Sequence, residues 1–200
     1  MPASVPQAAR EDPDRIIVLG DAAQSGVYLL RVAVHEALAV TFGRFRQGQV
    51  IDVPSGEYVY VGSAMAARGA VSLARRLVRH ATRSGDKSPH PIRAEMIDVF
   101  GQVGLGKGSL LPRRAKRLFW NIDYLLDADA AELKGVVAIR SHVPLEARLG
   151  RLLEDDPQTF VLERGLGAHD TPGRTHILGV QGGDRWWANL LAKVRGLAAL

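Results

Sequence analysis

Residues Gly26 to Val34 read GVYLLRVAV, a run of β-branched, aromatic and aliphatic side chains whose last residues alternate, and this pattern specifies a strand. Shorter extended segments lie on both sides of it. Ile16 to Leu19 (IIVL) precedes, and Val40 to Phe45, Val50 to Val53 and Gly56 to Gly62 (GEYVYVG) follow. Pro54-Ser55-Gly56 supplies turn chemistry between the last two. The first part of the chain is therefore expected to be an antiparallel meander of short strands.

The period changes at Ser72, a residue type suited to a helix N-cap, after which Leu73, Leu77 and Ala81 recur at helical spacing. Arg76 and His80 are four residues apart and share a face of that helix. Residues Ser84 to Pro112 are rich in Gly, Pro and Ser and predict a flexible excursion, with one short helical piece from Ala94 to Phe100. Counted to Arg117, this excursion is an insertion over 84–117. Helical pattern resumes with FWNIDYLLDADAAEL from Phe119, and Gly135 to Arg140 (GVVAIR) is the next strand. Pro144 opens a helix whose Leu145, Leu149, Leu152 and Leu153 fit a period of 3.6. A Gly/Pro loop leads to a strand at His176 to Val180, and Asp184 to Leu200 predicts an amphipathic helix. The expected class is α+β: a small, mostly antiparallel sheet flanked by helices, with an inserted loop and a C-terminal amphipathic helix. The expected division is a disordered leader over 1–14, a domain over 15–180 and a helical tail over 181–200.

With 200 residues, 46% of them hydrophobic, the chain can bury one sizeable core. It has no cysteine, which excludes disulfides, thiolate catalysis and Cys-ligated zinc. No apolar run approaches the ~18 residues that span a bilayer, and the N-terminus lacks an apolar signal region, so a cytoplasmic protein without membrane partners is expected. The net charge of +5 suits a partner bearing phosphates. Clustering strengthens that expectation: Arg75, Arg76, Arg79, His80 and Arg83 form one group, and Arg113, Arg114, Lys116 and Arg117 another. Arg75, Arg79, Arg83, Arg113, Arg114 and Arg117 are the candidate nucleic-acid contacts, although solvated helix faces would show the same pattern.

Several short blocks in order carry a family resemblance. Gly26-Val27-Tyr28 and Tyr60-Val61-Gly62 resemble the two tripeptides that name the GIY-YIG nuclease superfamily. Leu73-Ala74-Arg75-Arg76 matches its L-x-x-R helix, and the following Arg79-His80 pair is similar to the Uri-type branch. Trp120 to Leu126 (WNIDYLL) and Gly165 to Asp170 with Thr175 to Leu178 resemble further blocks of that branch. The resemblance covers Gly26 to about Gly179. It implies a GIY-YIG-like fold and a metal-dependent endonuclease that hydrolyses nucleic-acid phosphodiester bonds, DNA in preference to RNA. The alternative it leaves open is a non-catalytic nucleic-acid-binding module accessory to DNA repair or recombination.

The resemblance places the catalytic positions at Tyr28, Tyr60, Arg76, His80 and Glu146, with Glu146 as the ligand of Mg²⁺ or Mn²⁺. The chemistry of each residue type agrees. A hard cation keeps waters and borrows phosphate oxygens, so one carboxylate suffices to hold it. An arginine fork suits charge on non-bridging oxygens. The tyrosines could position or help deprotonate a water, and His80 could assist that step or protonate the leaving oxygen. Blander readings stand beside these. Glu146 gains ~0.3–1 kcal/mol from a helix dipole wherever it opens a helix, Tyr28 and Tyr60 suit ordinary core packing, and Glu154 is a weaker alternative acid. Asn121 and Asp123 suit helix capping or anchoring of the C-terminal loop. His169, Asp170 and His176 suggest a metal site by type but not by spacing. Gly101 to Gly108 (GQVGLGKG) nearly spells a phosphate-binding loop, but Gly108 replaces the hydroxyl residue and Pro112 interrupts the helix that should follow. The Trp186-Trp187 pair in the tail is a possible docking point for a protein partner.

Overall fold

The computed structural model describes residues 15–168 and 174–198. The expected leader, His169 and Asp170 lie outside the described residues. A six-stranded sheet in the order β1-β6-β2-β5-β8-β7 forms the centre. Its strands are β1 (Ile16–Gly20), β2 (Gly26–Val34), β5 (Gly56–Ala64), β6 (Ala131–Arg140), β7 (Thr159–Val161) and β8 (Ile177–Val180). β2 lies between β5 and β6 and is buried on both faces, which is why GVYLLRVAV is apolar almost throughout. Its one charged residue, Arg31, donates to both carboxylate oxygens of Glu57 at 2.8 Å.

The expected meander is only partly formed. β1 runs parallel to β6, a pairing between segments more than a hundred residues apart, and does not pair with β2. β3 (Leu38–Thr41) and β4 (Val50–Val53) leave the main sheet as a separate antiparallel pair. The extended stretch expected to reach Phe45 ends at Thr41, and Phe45–Gly48 form a 3₁₀ turn with positive φ at Arg46 and Gln47.

Helices cover both faces. α1 (Leu73–His80), α2 (Ile92–Gln102) and α3 (Asn121–Leu126) pack with the β3-β4 pair on one side, around Tyr28, Leu30, Tyr60, Leu77 and Phe100. α4 (Glu146–Glu154) and α5 (Gly183–Ala198) pack on the other, around Val27, Leu29, Val61, Leu149 and Leu153. At about 1.5–3 kcal/mol for each large aliphatic side chain fully buried, these two cores dominate the stability of the sheet.

Three sequence expectations change here. The 84–117 excursion is not merely a flexible loop: α2 sits in its middle and buries Ile92, Met96 and Phe100, spaced four residues apart. The helix expected from Phe119 to Leu133 stops at Leu126. Asp127 there accepts the backbone N–H and hydroxyl of Ser84 at 2.6 and 2.7 Å, which pins a turn, and β6 begins at Ala131. The Trp186-Trp187 pair is not displayed for a partner. The two indoles are 3% and 5% exposed and belong to the second core, where Trp187 lies under the Arg31 guanidinium.

Candidate active site

Tyr28 and Gly62 are direct partners across β2 and β5, and Ala138 of β6 faces Tyr28 on its other side. Small residues on both flanks leave room for the phenol ring. A Cβ on Gly62 would lie 2.6 Å from Tyr28 Cζ and Oη, so the glycine lets the ring lie flat over β5. Tyr60 comes from β5 on the same face, with ring centroids 6.0 Å apart.

α1 runs over these rings and delivers Arg76 and His80 to them from one helix face. His80 Nε2 is 2.9 Å from Tyr28 Oη, and His80 Nδ1 is 3.2 Å from Asp123 Oδ1. Tyr28, His80 and Asp123 are completely buried. Asp123 is the hub of the array. Its Oδ2 accepts Arg79 Nη1 at 2.8 Å and the backbone N–H groups of Phe119 and Trp120 at 3.0 and 3.2 Å, while the buried Lys116 ammonium lies 3.4 Å from Oδ1. Asp123 therefore caps its own helix and also ties α1 to α3.

Electrostatics assign the protons. Burial lowers the His80 pKa to about 4, opposed by its hydrogen bond to Asp123, so the imidazole is neutral at pH 7. Burial alone would raise Asp123, but its bond to His80 and the charges of Lys116 and Arg79 hold it well below the usual carboxylate range. Burial lowers Lys116, yet its carboxylate partner opposes that shift. Burial pushes both phenols upward, and the Arg76 charge works against the shift in each. A neutral His80 that donates through Nδ1 to Asp123 presents Nε2 as an acceptor for the Tyr28 hydroxyl. Asp123, His80 and Tyr28 thus form one continuous hydrogen-bonded chain from the buried carboxylate to the phenol.

The opposite side of the site comes from α4. β8 pairs with β5 only up to Tyr60, and Val61 N–H closes that seam on the carbonyl of His176. Past that point the end of β5 has no strand neighbour on this flank among the described residues, so α1 and α4 can meet around its edge. Ser63 is where they meet: its hydroxyl donates to Glu146 Oε2, and its carbonyl accepts Arg76 Nη1 at 3.4 Å. His176 Nδ1 stands 3.5 Å from Glu146 Oε1. Glu146 is the first residue of α4, with its side chain 26% exposed. The Arg76 guanidinium lies 3.9 Å over the Trp120 ring, which fixes its plane, and its buried Nε makes no hydrogen bond among the described residues.

The five residues expected at the site converge. They occupy two levels: Tyr28, Tyr60 and His80 form a buried floor, while Glu146 and Arg76 form the more open edge. Ser63, Trp120 and His176 join them without having been singled out for this role, and Asp123 proves to be more than a cap. The basic groups divide. Arg83 spends its donors on the carbonyls of Leu126, Ala128 and Ala131 and so holds the turn before β6, which removes it from any outward face. Arg75 donates to the carbonyls of Lys107 and Ser109, and Arg79 to Asp123 and the Arg117 carbonyl. Arg113, Arg114 and Arg117 are exposed.

Other candidates find structural uses. Glu154 accepts Arg174 Nη1 at 2.8 Å and the N–H of Thr175 at 2.6 Å, and Asn121 bridges the Phe42 carbonyl and the N–H of Gly167. The glycine-rich loop after α2 is pinned to the β1-β2 turn by Gln24, which bonds Gly104 and Gly106. A cleft of about 900 Å³ opens beside α1, between Arg75 and Arg79 and the strip Ser109 to Arg117. It does not include Glu146 and shares only Arg79 and Lys116 with the buried array.

A family model described as a domain of unknown function, DUF123, matches residues 27–198. The chain belongs to this family. No curated protein and no solved structure matches it. The DUF123 match takes in every residue of the array, from Tyr28 to His176, and also α5. No helix among the described residues is long and apolar enough to cross a membrane.

Among the described residues no three His, Cys, Asp or Glu side chains cluster to enclose a metal. A hard cation that retains its waters needs no such cage, and Glu146, part-exposed with Ser63 at one oxygen and His176 3.5 Å from the other, fits that mode of binding.

Proposed function

We propose that this domain is a metal-dependent endonuclease of the GIY-YIG type, hydrolysing phosphodiester bonds of nucleic acid, DNA in preference to RNA. The observation that carries the reading is Ser63, whose hydroxyl and carbonyl bring Glu146 and Arg76 together beside the Tyr28-His80-Asp123 array. A carboxylate for the cation, a guanidinium for the phosphate and a buried proton acceptor are the groups that phosphodiester hydrolysis requires.

Glu146 would hold Mg²⁺ or Mn²⁺, which supplies charge neutralisation at the phosphate when bound. Arg76, flat on Trp120, offers N–H groups to a non-bridging oxygen. Tyr28 orients the attacking water through its oxygen. As that water loses its proton to Tyr28 Oη, the phenol proton passes to His80 Nε2, and the imidazolium so formed is stabilised by Asp123. The neutral state of His80 leaves Nε2 free to accept and disfavours a role as acid toward the leaving oxygen; its lowered pKa makes it a weak base that holds the proton only transiently.

Complete burial of Tyr28, together with Tyr60 at 4% exposure, favours a second reading, a module that binds nucleic acid without cutting it. Labelled single-stranded, duplex and branched DNA and RNA, incubated with and without Mg²⁺ or Mn²⁺, separate the two. The nuclease reading expects metal-dependent cleavage that Glu146→Gln abolishes and Arg76→Ala lowers by about 10²–10³-fold. Equal binding by wild type and both variants, with no cleavage of any substrate, would establish the second reading.

A further inference from the structure

Phe119 is 66% exposed, unusual for a large aromatic ring, and it stands between the basic strip and the Trp120-Arg76 stack. Its ring meets Trp120 edge to face, with centroids 5.2 Å apart at 81°. Trp120 in turn lies under Arg76 and Arg79, at 3.9 and 4.7 Å, and contacts His80 at 5.7 Å. The ring is displayed outward while its backbone is fixed from beneath. Phe119 N–H donates to Asp123 at 3.0 Å, and the Arg117 carbonyl accepts Arg79.

The surroundings define what the ring meets. The lining of the cleft next to α1 ends at Arg117, two residues before Phe119 in the chain, and includes Arg75, Arg113 and Arg114 and no acidic side chain. One displayed aromatic face beside unopposed cationic side chains is the pairing that recognises an unpaired nucleotide: the π-face stacks on the base and the guanidiniums take the flanking phosphates. An intact duplex keeps its bases stacked on each other and has none to offer.

The geometry points to Phe119 as a stacking platform for an unpaired base, with Arg113, Arg114 and Arg117 along the strand's backbone. The substrate class is then nucleic acid that is single-stranded, or locally unpaired, next to the phosphate held by Arg76. This assignment rests on the nucleic-acid reading of the same site but does not require cleavage.

Binding without metal tests it. Fluorescence anisotropy in EDTA compares one labelled strand as single-stranded DNA, as RNA, as perfect duplex and as a single strand with abasic sites, for wild type, Phe119→Ala and Phe119→Trp. The expected result is at least tenfold weaker single-strand binding by Phe119→Ala, about 1.4 kcal/mol, with duplex affinity changed less than twofold. Phe119→Trp should restore the wild-type value, and the abasic strand should bind wild type and Phe119→Ala alike. Thermal melting of the variants checks that the fold is intact, as expected for so exposed a side chain.

Equal loss on single strand and duplex, no change in Phe119→Ala, or no salt-dependent binding to any strand overturns the platform. The two proposals fail separately. Cleavage that depends on Glu146 but ignores Phe119 sinks the platform alone, whereas Phe119-dependent binding with no cleavage sinks the nuclease alone.

Discussion

His80 Nδ1 lies 3.2 Å from Asp123 Oδ1 with both side chains fully buried, and 43 residues of chain separate them. The contact joins α1 to α3 and places a carboxylate where burial alone would not tolerate a charge. Lys116, Arg79 and two backbone N–H groups make it tolerable. Replacing Asp123 by Asn keeps the shape but leaves the Lys116 ammonium buried without its anion. The expected loss is about 3–5 kcal/mol in urea unfolding. Adding Lys116→Met to Asp123→Asn should recover part of it, because the orphaned charge goes as well. A double variant that is no more stable than Asp123→Asn would show that the ion pair is not what the aspartate contributes.

The same burial makes stability depend on pH with a defined sign. His80 and His90 have folded pKa values lowered to about 4 and about 3, from an ordinary 6.5, chiefly by burial. Between those values the unfolded chain binds protons that the folded chain refuses, so unfolding free energy rises with pH there, by up to about 1.4 kcal/mol per pH unit for each group. The contribution is complete above pH 6.5 and is lost as pH falls toward 4. Asp123, whose pKa is lowered, adds a further loss only below its ordinary 3.8. Urea midpoints at pH 7.0, 5.5 and 4.5 should therefore decline steadily. A flat profile across that range would contradict neutral, buried imidazoles.

Gly62 should tolerate no side chain. A methyl group there would press on Tyr28 at 2.6 Å and on Tyr60 at 2.9 Å, and both rings are already packed. Gly62→Ala is expected to cost about 1–3 kcal/mol by overpacking. Gly196→Ala, on the exposed side of α5 with nothing within 4 Å of the added carbon, should instead gain about 0.5–1 kcal/mol from helix propensity. Thermal denaturation of the pair decides, and similar melting temperatures for both would remove the packing argument for the tripeptide's glycine.

What could be read in the sequence follows from the range of the interactions. Tyr28, Tyr60 and Arg76 lie in strands and a helix whose patterns are local, so their elements were legible, while their place at one site came from the family resemblance. His80 was legible for the same reason, one turn from Arg76. Asp123 was legible as a cap or a loop anchor but not as a hub, because its bond to Trp120 N–H is local while those to His80 and Lys116 are made by folding. Ser63 gave no signal beyond its place beside a recognised block, and His176 suggested a metal only by its residue type, with His169 and Asp170 rather than with Glu146. The parallel pairing of β1 with β6 was hidden for that reason too. α2 was read too short, as Ala94 to Phe100, for a different one: Ile92, Met96 and Phe100 carry a helical spacing, but the Gly, Pro and Ser on either side made the segment read as a flexible excursion. Arg83 misled because a basic cluster does not reveal which guanidiniums are spent on carbonyls.

Trp120 offers a test of how Arg76 is held. The indole lies 3.9 Å beneath the guanidinium, and the other named support is one bond to Ser63 at 3.4 Å, so the ring sets the plane in which Arg76 faces a phosphate. Cation–π contacts are worth about 0.5–2 kcal/mol, which corresponds to roughly 2–30-fold in rate if Arg76 acts on the transition state. Trp120→Leu keeps an apolar side chain of lower volume but removes the aromatic face. In single-turnover cleavage with saturating Mn²⁺ it should lower the rate constant within that range. Arg76→Lys should lower it further, because a point charge cannot reproduce the planar fork. Combining Trp120→Leu with Arg76→Lys should cost little more than Arg76→Lys alone, since the ring then has no fork to align. Additive losses would instead mean that Trp120 acts on the substrate directly, together with Phe119, and not through Arg76.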